Sequence, residues 1–182
     1  MSNKKLDFGG GCHWCTEAVF QALPYVDKVE QGYIKSSPPF DSWSEAVIVH
    51  FSDHGRIPEL MDIHLATHKS TSEHSRRAEY RSAVYYFDNG LKKELESVII
   101  PLSRCADGKP CQLRRSGYEG CMATEGKRNK NYITKILPFK DFKPSRESIQ
   151  NYYQTRPDAP FCTRYIEPKL SIVREILSSS DK

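Results

Sequence analysis

The strongest constraint in this sequence is a run of three glycines that ends on a cysteine, Phe8-Gly9-Gly10-Gly11-Cys12-His13-Trp14-Cys15. Thr16-Glu17-Ala18-Val19-Phe20-Gln21-Ala22-Leu23 follows directly, with Val19, Phe20 and Leu23 at helical spacing. The first part reads as the end of a short strand entering a glycine turn, so Cys12 stands where the turn meets the start of a helix. Unpaired backbone N–H groups and the positive end of the helix dipole collect there, and both stabilise an anion. A cysteine at this point is expected to have a lowered pKa and an enlarged thiolate fraction. The glycines permit the tight turn and leave the thiol open to a substrate, and Trp14 can form an apolar wall. Two other readings weigh against a reactive cysteine. Free cysteines are commonly buried and inert, and Cys12-x-x-Cys15 is also half of a zinc site or a thioredoxin-type redox pair. A zinc ribbon needs a second close pair, and Cys105, Cys111 and Cys121 are too widely spaced for the usual knuckle. Position and spacing favour a nucleophile or redox thiol over a metal ligand.

At 182 residues the chain is long enough for one real core and short for two, so residues 1–182 are expected to form one domain. A hydrophobic fraction of 38% with 27% charged residues describes an ordinary globular protein. The formal net charge of +4 is too mild to mark a nucleic-acid binder. Six cysteines in this length do not make a disulfide scaffold. No segment approaches a membrane span, and Met1-Ser2-Asn3-Lys4-Lys5-Leu6-Asp7 lacks the apolar run of a signal peptide. The expected location is the cytoplasm, and the expected state is a monomer.

Along the chain, Val26 to Ile34 reads as a strand, and Glu45-Ala46-Val47-Ile48-Val49-His50-Phe51 as a central strand covered on both faces. Ile57 to His68 is helical after Pro58. Tyr80 to Phe87 is a strand rich in aromatic and β-branched residues, and Leu91 to Leu102 an amphipathic helix. Arg104 to Lys130 has little periodicity and reads as a surface insertion. Its basic clusters lack interleaved aromatic residues, so a solvated loop is expected there and no nucleic-acid contact. Tyr132 to Leu137 is a further strand. A helix from Pro144 to Tyr153 is expected with Ser145 as its cap, and a last helix from about Pro168 to Leu177. This order predicts an α+β fold, a two-layer α/β sandwich with a ferredoxin-like core, a mostly antiparallel sheet and a C-terminal helical and coil extension.

Glu45 opens a strand that is otherwise almost wholly apolar, on the same face as Val47 and Val49. Poor solvation there raises a carboxyl pKa and makes a usable general acid, whereas a position at the strand mouth leaves it in water. Tyr33 and Tyr80, each at a predicted strand edge, can donate O–H bonds into the same cleft, although most tyrosines simply pack. His64 and His68 lie one helical turn apart without an evident third ligand, so no metal site is expected.

Taken together, Gly-Cys-His-Trp-Cys, Leu23-Pro24, Gly32-Tyr33, Glu45-Ala46-Val47 and Tyr80-Arg81-Ser82-Ala83 resemble the A-type peptide methionine sulfoxide reductases. Pro138-Phe139 to Tyr153 and Phe161-Cys162 to Pro168-Lys169-Leu170 extend the resemblance over nearly the whole chain. The resemblance implies that Cys12 attacks the sulfur of an (S)-methionine sulfoxide, free or within a protein. Glu45 would protonate the leaving oxygen, with Tyr33 and Tyr80 orienting it, and Trp14 would hold the substrate methyl. Cys12 is left as a sulfenic acid, which a second thiol converts to a disulfide. Thioredoxin or a similar thiol reductant then restores it. No metal or organic cofactor is implied. The resolving thiol is Cys162, in the C-terminal segment where the family often places it, or Cys15, close in sequence but constrained in disulfide geometry by the helix. Cys162 is the preferred of the two.

Two positions depart from the family pattern. His13 stands where the family usually has Phe, which should weaken the methyl pocket; it either lowers the pKa of Cys12 or admits a more polar substrate. Ser75 occupies the place of an Asp flanked by glycines, with His74, Arg76 and Arg77 around it, so the charge of a substrate-bordering loop is reversed. Rival functions are a divergent reductase acting on another sulfoxide or a peroxide, a binding module that has lost the chemistry, and a structural zinc protein. Retention of Cys12, Trp14, Tyr33, Glu45 and Tyr80 together favours chemistry.

Overall fold

A computed structural model describes residues 4–102 and 132–180. The chain runs β1 (Lys4–Gly9), α1 (His13–Gln21), β2 (Val26–Lys35), β3 (Ser44–Phe51), α2 (Ile57–Thr67), β4 (Ala83–Tyr86) and α3 (Asn89–Leu102). After the gap come β5 (Lys135–Pro138), β6 (Asp141–Pro144), α4 (Tyr152–Thr155), a π-helical turn at Cys162–Ile166 and α5 (Glu167–Ser180). The expected insertion at Arg104–Lys130, with Cys105, Cys111 and Cys121, lies outside the described residues.

The strands form one sheet in the order β5-β4-β1-β3-β2-β6. Its pairings are antiparallel except β4 with β5. Successive side chains of a strand point to opposite faces. Leu6 and Phe8 of β1 and Val47, Val49 and Phe51 of β3 therefore share one face, where they meet Val19, Phe20, Leu60, Leu95 and Val173 from four helices. A smaller cluster of Ile34, Ala46, Ala83, Tyr85 and Leu137 covers the other face. β3 is paired on both sides and apolar on both faces, as its uninterrupted apolar run predicts.

Three expected elements change, the first being the strand expected from Tyr132, which starts only at Lys135. The strand expected from Tyr80 starts only at Ala83. Upstream of it the backbone is committed elsewhere: Tyr80 N–H donates to Arg76 carbonyl (3.0 Å) and Arg81 N–H to Ser44 Oγ (2.8 Å). The helix expected from Pro144 is replaced by β6, a 3-10 turn at Glu147–Ile149, and α4. Pro144 ends an edge strand, a place where its missing N–H costs nothing. Ser145 caps no helix; its N–H continues the ladder to Gln31 carbonyl (3.0 Å) and its hydroxyl is buried without a partner. Gly32 makes this edge possible, because a Cβ there would stand 2.4 Å from the Lys143 carbonyl oxygen.

Candidate active site

Cys12 is the N-cap of α1. Its carbonyl accepts from the N–H of Cys15 (3.1 Å) and Thr16 (3.2 Å) and from Thr16 Oγ1 (3.2 Å). The turn before it needs Gly10, where a Cβ would lie 2.5 Å from the His68 ring. The Cys12 thiol is pulled below its ordinary pKa. The largest cause is a hydrogen bond from the Cys15 thiol, and the N–H groups of Trp14 and Cys15 add to it against burial and the charge of Glu45. The helix N-terminus thus contributes, but a neighbouring side chain contributes more. Cys15 bears the converse: donating its proton to Cys12, together with burial, pushes its own pKa far up.

Glu45 is the second residue of β3, and Tyr33 of β2 is its direct cross-strand partner. Such partners share a face, so strand register alone brings the two together. Glu45 Oε2 accepts from the backbone N–H of His13 (2.9 Å) and lies 3.8 Å from His13 Nδ1, with its side chain 19% exposed. Both tyrosines have raised pKa values, through burial first and then the charge of Glu45, with Cys12 adding. Two tyrosine hydroxyls, a carboxylate and a thiol therefore share one electrostatic neighbourhood. Tyr80 OH accepts from Arg76 (3.1 Å), whose guanidinium also stacks on the Tyr80 ring at 4.8 Å.

His13 is buried, its Nδ1 3.2 Å from the Gly32 carbonyl and its ring edge-on to Tyr33 at 5.3 Å. It faces the sheet beneath Cys12. Ser75 is exposed on the turn after His74. The side chain of that turn that reaches inward is Arg77, which donates to the carbonyls of Gly10 (3.3 Å), Tyr80 (3.1 Å) and Ser72, while Arg76 stays exposed and pairs with Glu79.

Trp14 stacks on Tyr152 with centroids 4.1 Å apart and planes at 1°, and meets Phe161 edge-on at 5.4 Å. Sequence reasoning missed Tyr152 because it lies in the segment expected to be helical. It also missed Glu17, which holds that segment in place. Glu17 is buried, and its carboxylate accepts from Gln31 Nε2 (2.7 Å) and the N–H of Asn151 (3.0 Å). Cys162 is fully buried in a cluster with Cys15, Ala18, Ile166 and Leu170, with Cys12 at its margin. Its thiol donates to the Arg156 carbonyl (3.1 Å), and burial raises its pKa. The fold thus gathers three thiols that are far apart in sequence only at Cys162.

The family model described as peptide methionine sulfoxide reductase matches residues 4–108, more than half of the 182. The chain belongs to the peptide methionine sulfoxide reductase family. It is an oxidoreductase of that type. Among relatives of this reductase, MsrA of Thermus thermophilus is 30% identical over 195 residues, covering 98% of both chains. MsrA of Deinococcus radiodurans is 31% identical over 180 residues, covering 92% of this chain and 79% of the relative. The fold is similar to that of methionine sulfoxide reductase A of Corynebacterium diphtheriae, with a TM-score of 0.60 at 18% identity over 85% of this chain and 76% of the other. It is also similar to Mxr1 from Saccharomyces cerevisiae solved in complex with Trx2, with a TM-score of 0.54 at 20% identity over 82% and 84%.

Proposed function

We propose that this reductase acts on (S)-methionine sulfoxide, free or within proteins, with Cys12 as nucleophile. The observation that carries the reading is the convergence of a thiol stabilised as its anion with Glu45, Tyr33 and Tyr80. The Cys12 thiolate attacks the sulfoxide sulfur while Tyr33 and Tyr80 hydrogen-bond the oxygen and Glu45 delivers the proton it needs to leave. Trp14, backed by Tyr152 and Phe161, offers an apolar wall to the substrate methyl, with His13 beneath and Ser75 on the bordering turn. Methionine departs and Cys12 is left as a sulfenic acid.

Cys15 stands first in line to resolve it, ahead of the Cys162 preferred from the sequence, because it lies in the first turn of the helix that Cys12 caps, borders the same cavity, and such a cysteine pair is a workable redox arrangement. Cys162, packed in the same cluster, is the second thiol. An external thiol reductant of the thioredoxin kind completes the cycle; the Mxr1 structure with Trx2 supports that partner. The reaction needs no metal or organic cofactor. We read the chain as one domain, monomeric and cytoplasmic. Its β4-β1-β3-β2 strand order is consistent with a ferredoxin-like core.

The test is dithiothreitol-driven reduction of the separate epimers of a methionine sulfoxide peptide by the wild type and Cys12→Ser. Turnover of the S epimer alone, lost in the variant, is expected. A folded protein that turns over neither epimer overturns the reading.

A further inference from the structure

Cys12 has a second open side. A cavity of about 220 Å³ is lined by Cys12, Cys15, Thr16, His68, Phe161 and Lys169 among others, and its lining includes none of Tyr33, Glu45 and Tyr80. Lys169 is the third residue of α5, and its ammonium donates to the carbonyl of Thr67, the last residue of α2. One feature makes this an odd place for a lysine. Among the described residues, none of the ion pairs includes Lys169. A half-buried cation needs a compensating negative group. The groups in the cavity wall able to become negative are the two thiols and the exposed Tyr165 phenol.

We propose that Lys169 is a positioning residue of the resolving step, its ammonium favouring the Cys15 thiolate once Cys12 has become a sulfenic acid and no longer draws the Cys15 proton. This rests on the reading of Cys12 as nucleophile and Cys15 as the first resolving thiol. In that step the Cys15 thiol gives up its proton and its sulfur attacks the Cys12 sulfenic sulfur. The S–S bond forms, the S–O bond breaks, and the hydroxyl takes up the proton and leaves as water. No further oxidant enters. Burial holds the Lys169 ammonium below its ordinary pKa, and of the groups that work against this Cys15 comes first, ahead of Cys12. The other titratable groups facing this spot are His64 and His68 at the end of α2, Lys69 beyond it, and Cys162 and Tyr165 from the π-helical turn. Burial holds His64 well below its ordinary pKa and brings His68 to about 4, so neither ring titrates near neutrality. The lysine also serves the Thr67 carbonyl, an ordinary helix C-terminal contact, so the test must separate that role from action on Cys15.

Single-turnover mixing of the reduced full chain with (S)-methionine sulfoxide does so, comparing wild type with Lys169→Met, Lys169→Gln and Lys169→Arg. Methionine release reports the first step, and dimedone trapping reports how long the sulfenic acid survives. In Lys169→Met and Lys169→Gln the sulfenic acid is expected to last about tenfold longer at pH 7, the effect of one pKa unit on thiolate fraction. The gap should close as pH rises, and Lys169→Arg should restore the wild-type lifetime. An unchanged lifetime in the neutral variants, or one lengthened equally at every pH, overturns the proposal. If Lys169→Met does not fold, Lys169→Gln carries the comparison. If both fail to fold while Lys169→Arg folds with wild-type lifetime at every pH, the lysine's role is structural and the proposal falls. Absence of a methionine burst in the wild type overturns the underlying reading instead, and the role of Lys169 with it.

Discussion

The backbone N–H of His13 donates to Glu45 Oε2 at 2.9 Å. The first N–H of α1 is thus satisfied from a strand across the cleft, in place of a side-chain bond from the N-cap Cys12, which makes none. One carboxylate thus anchors the helix that begins at Cys12 and, in the proposed reaction, also delivers the proton.

Glu45 substitutions should therefore separate two losses. Glu45→Gln keeps an acceptor for His13 and should stay within about 0.5 kcal/mol of wild-type stability, whereas Glu45→Ala should lose about 1 kcal/mol as a helix cap is removed. Both should lower kcat by on the order of 100-fold or more, the usual scale for a general acid. Urea unfolding alongside steady-state kinetics checks this. A Gln variant with near-normal kcat removes Glu45 from the chemistry.

Cys15→Ala deletes the thiol that donates to Cys12. The pH midpoint for thiolate formation at Cys12, followed by iodoacetamide alkylation, should move upward by about one unit, roughly 1.4 kcal/mol in thiolate stabilisation. Cys15→Ser, which keeps a donor, should move it less. Identical midpoints in all three proteins would mean that the backbone N–H groups hold the thiolate without help.

His13→Phe restores the ring usual in the family. The groups that lower Cys12 are Cys15 and the N–H groups of Trp14 and Cys15, while the His13 ring is directed at the Gly32 carbonyl. The midpoint of Cys12 should stay in place, and stability should fall by about 1 kcal/mol for the lost bond. A displaced midpoint would reveal a charge effect of the imidazole on the thiol.

Asp62 of α2 is buried with Oδ1 unpartnered, and burial, aided by the charge of Glu59, raises its pKa to about 7. The folded state therefore holds this proton more tightly than the unfolded one. Stability from this group is full below the unfolded carboxyl range and is lost as pH rises through about 7. Asp62→Asn should gain on wild type between pH 5 and pH 8 by on the order of 1 kcal/mol or more. Denaturant unfolding at the two pH values measures the difference, and parallel curves would show that Asp62 is solvated in the native protein.

What could be read from the sequence was local. The Gly9-Gly10-Gly11 turn, Cys12 at a helix start and the doubly covered strand of Val47 and Val49 each follow from spacing that a short window contains. Where long-range partners decide the outcome, the reading failed. Pro144 and Ser145 look like a helix start until Gln31 offers its carbonyl and Gly32 makes room for a sixth strand. At the site, the pairing of Tyr33 with Glu45 needed only strand register. The contribution of Cys15 to Cys12, the stack of Tyr152 on Trp14 and the reach of Lys169 to Thr67 depend on side-chain placement that no periodicity encodes.

The bond that Glu17 accepts from the Asn151 N–H joins the first helix to a segment more than a hundred residues later. Chains are made from the N-terminus onward, so the helix carrying Cys12 emerges from the ribosome long before the residues that complete its surroundings. Tyr152, Phe161, Cys162 and Lys169 all appear more than a hundred residues after it. A nascent or prematurely terminated chain therefore presents Cys12 without the Trp14–Tyr152 stack, without Cys162 and without the Lys169 cation. Such a product would be a bare reactive thiol prone to indiscriminate oxidation, and the closing helix is as much a safeguard for the nascent enzyme as a part of the finished one.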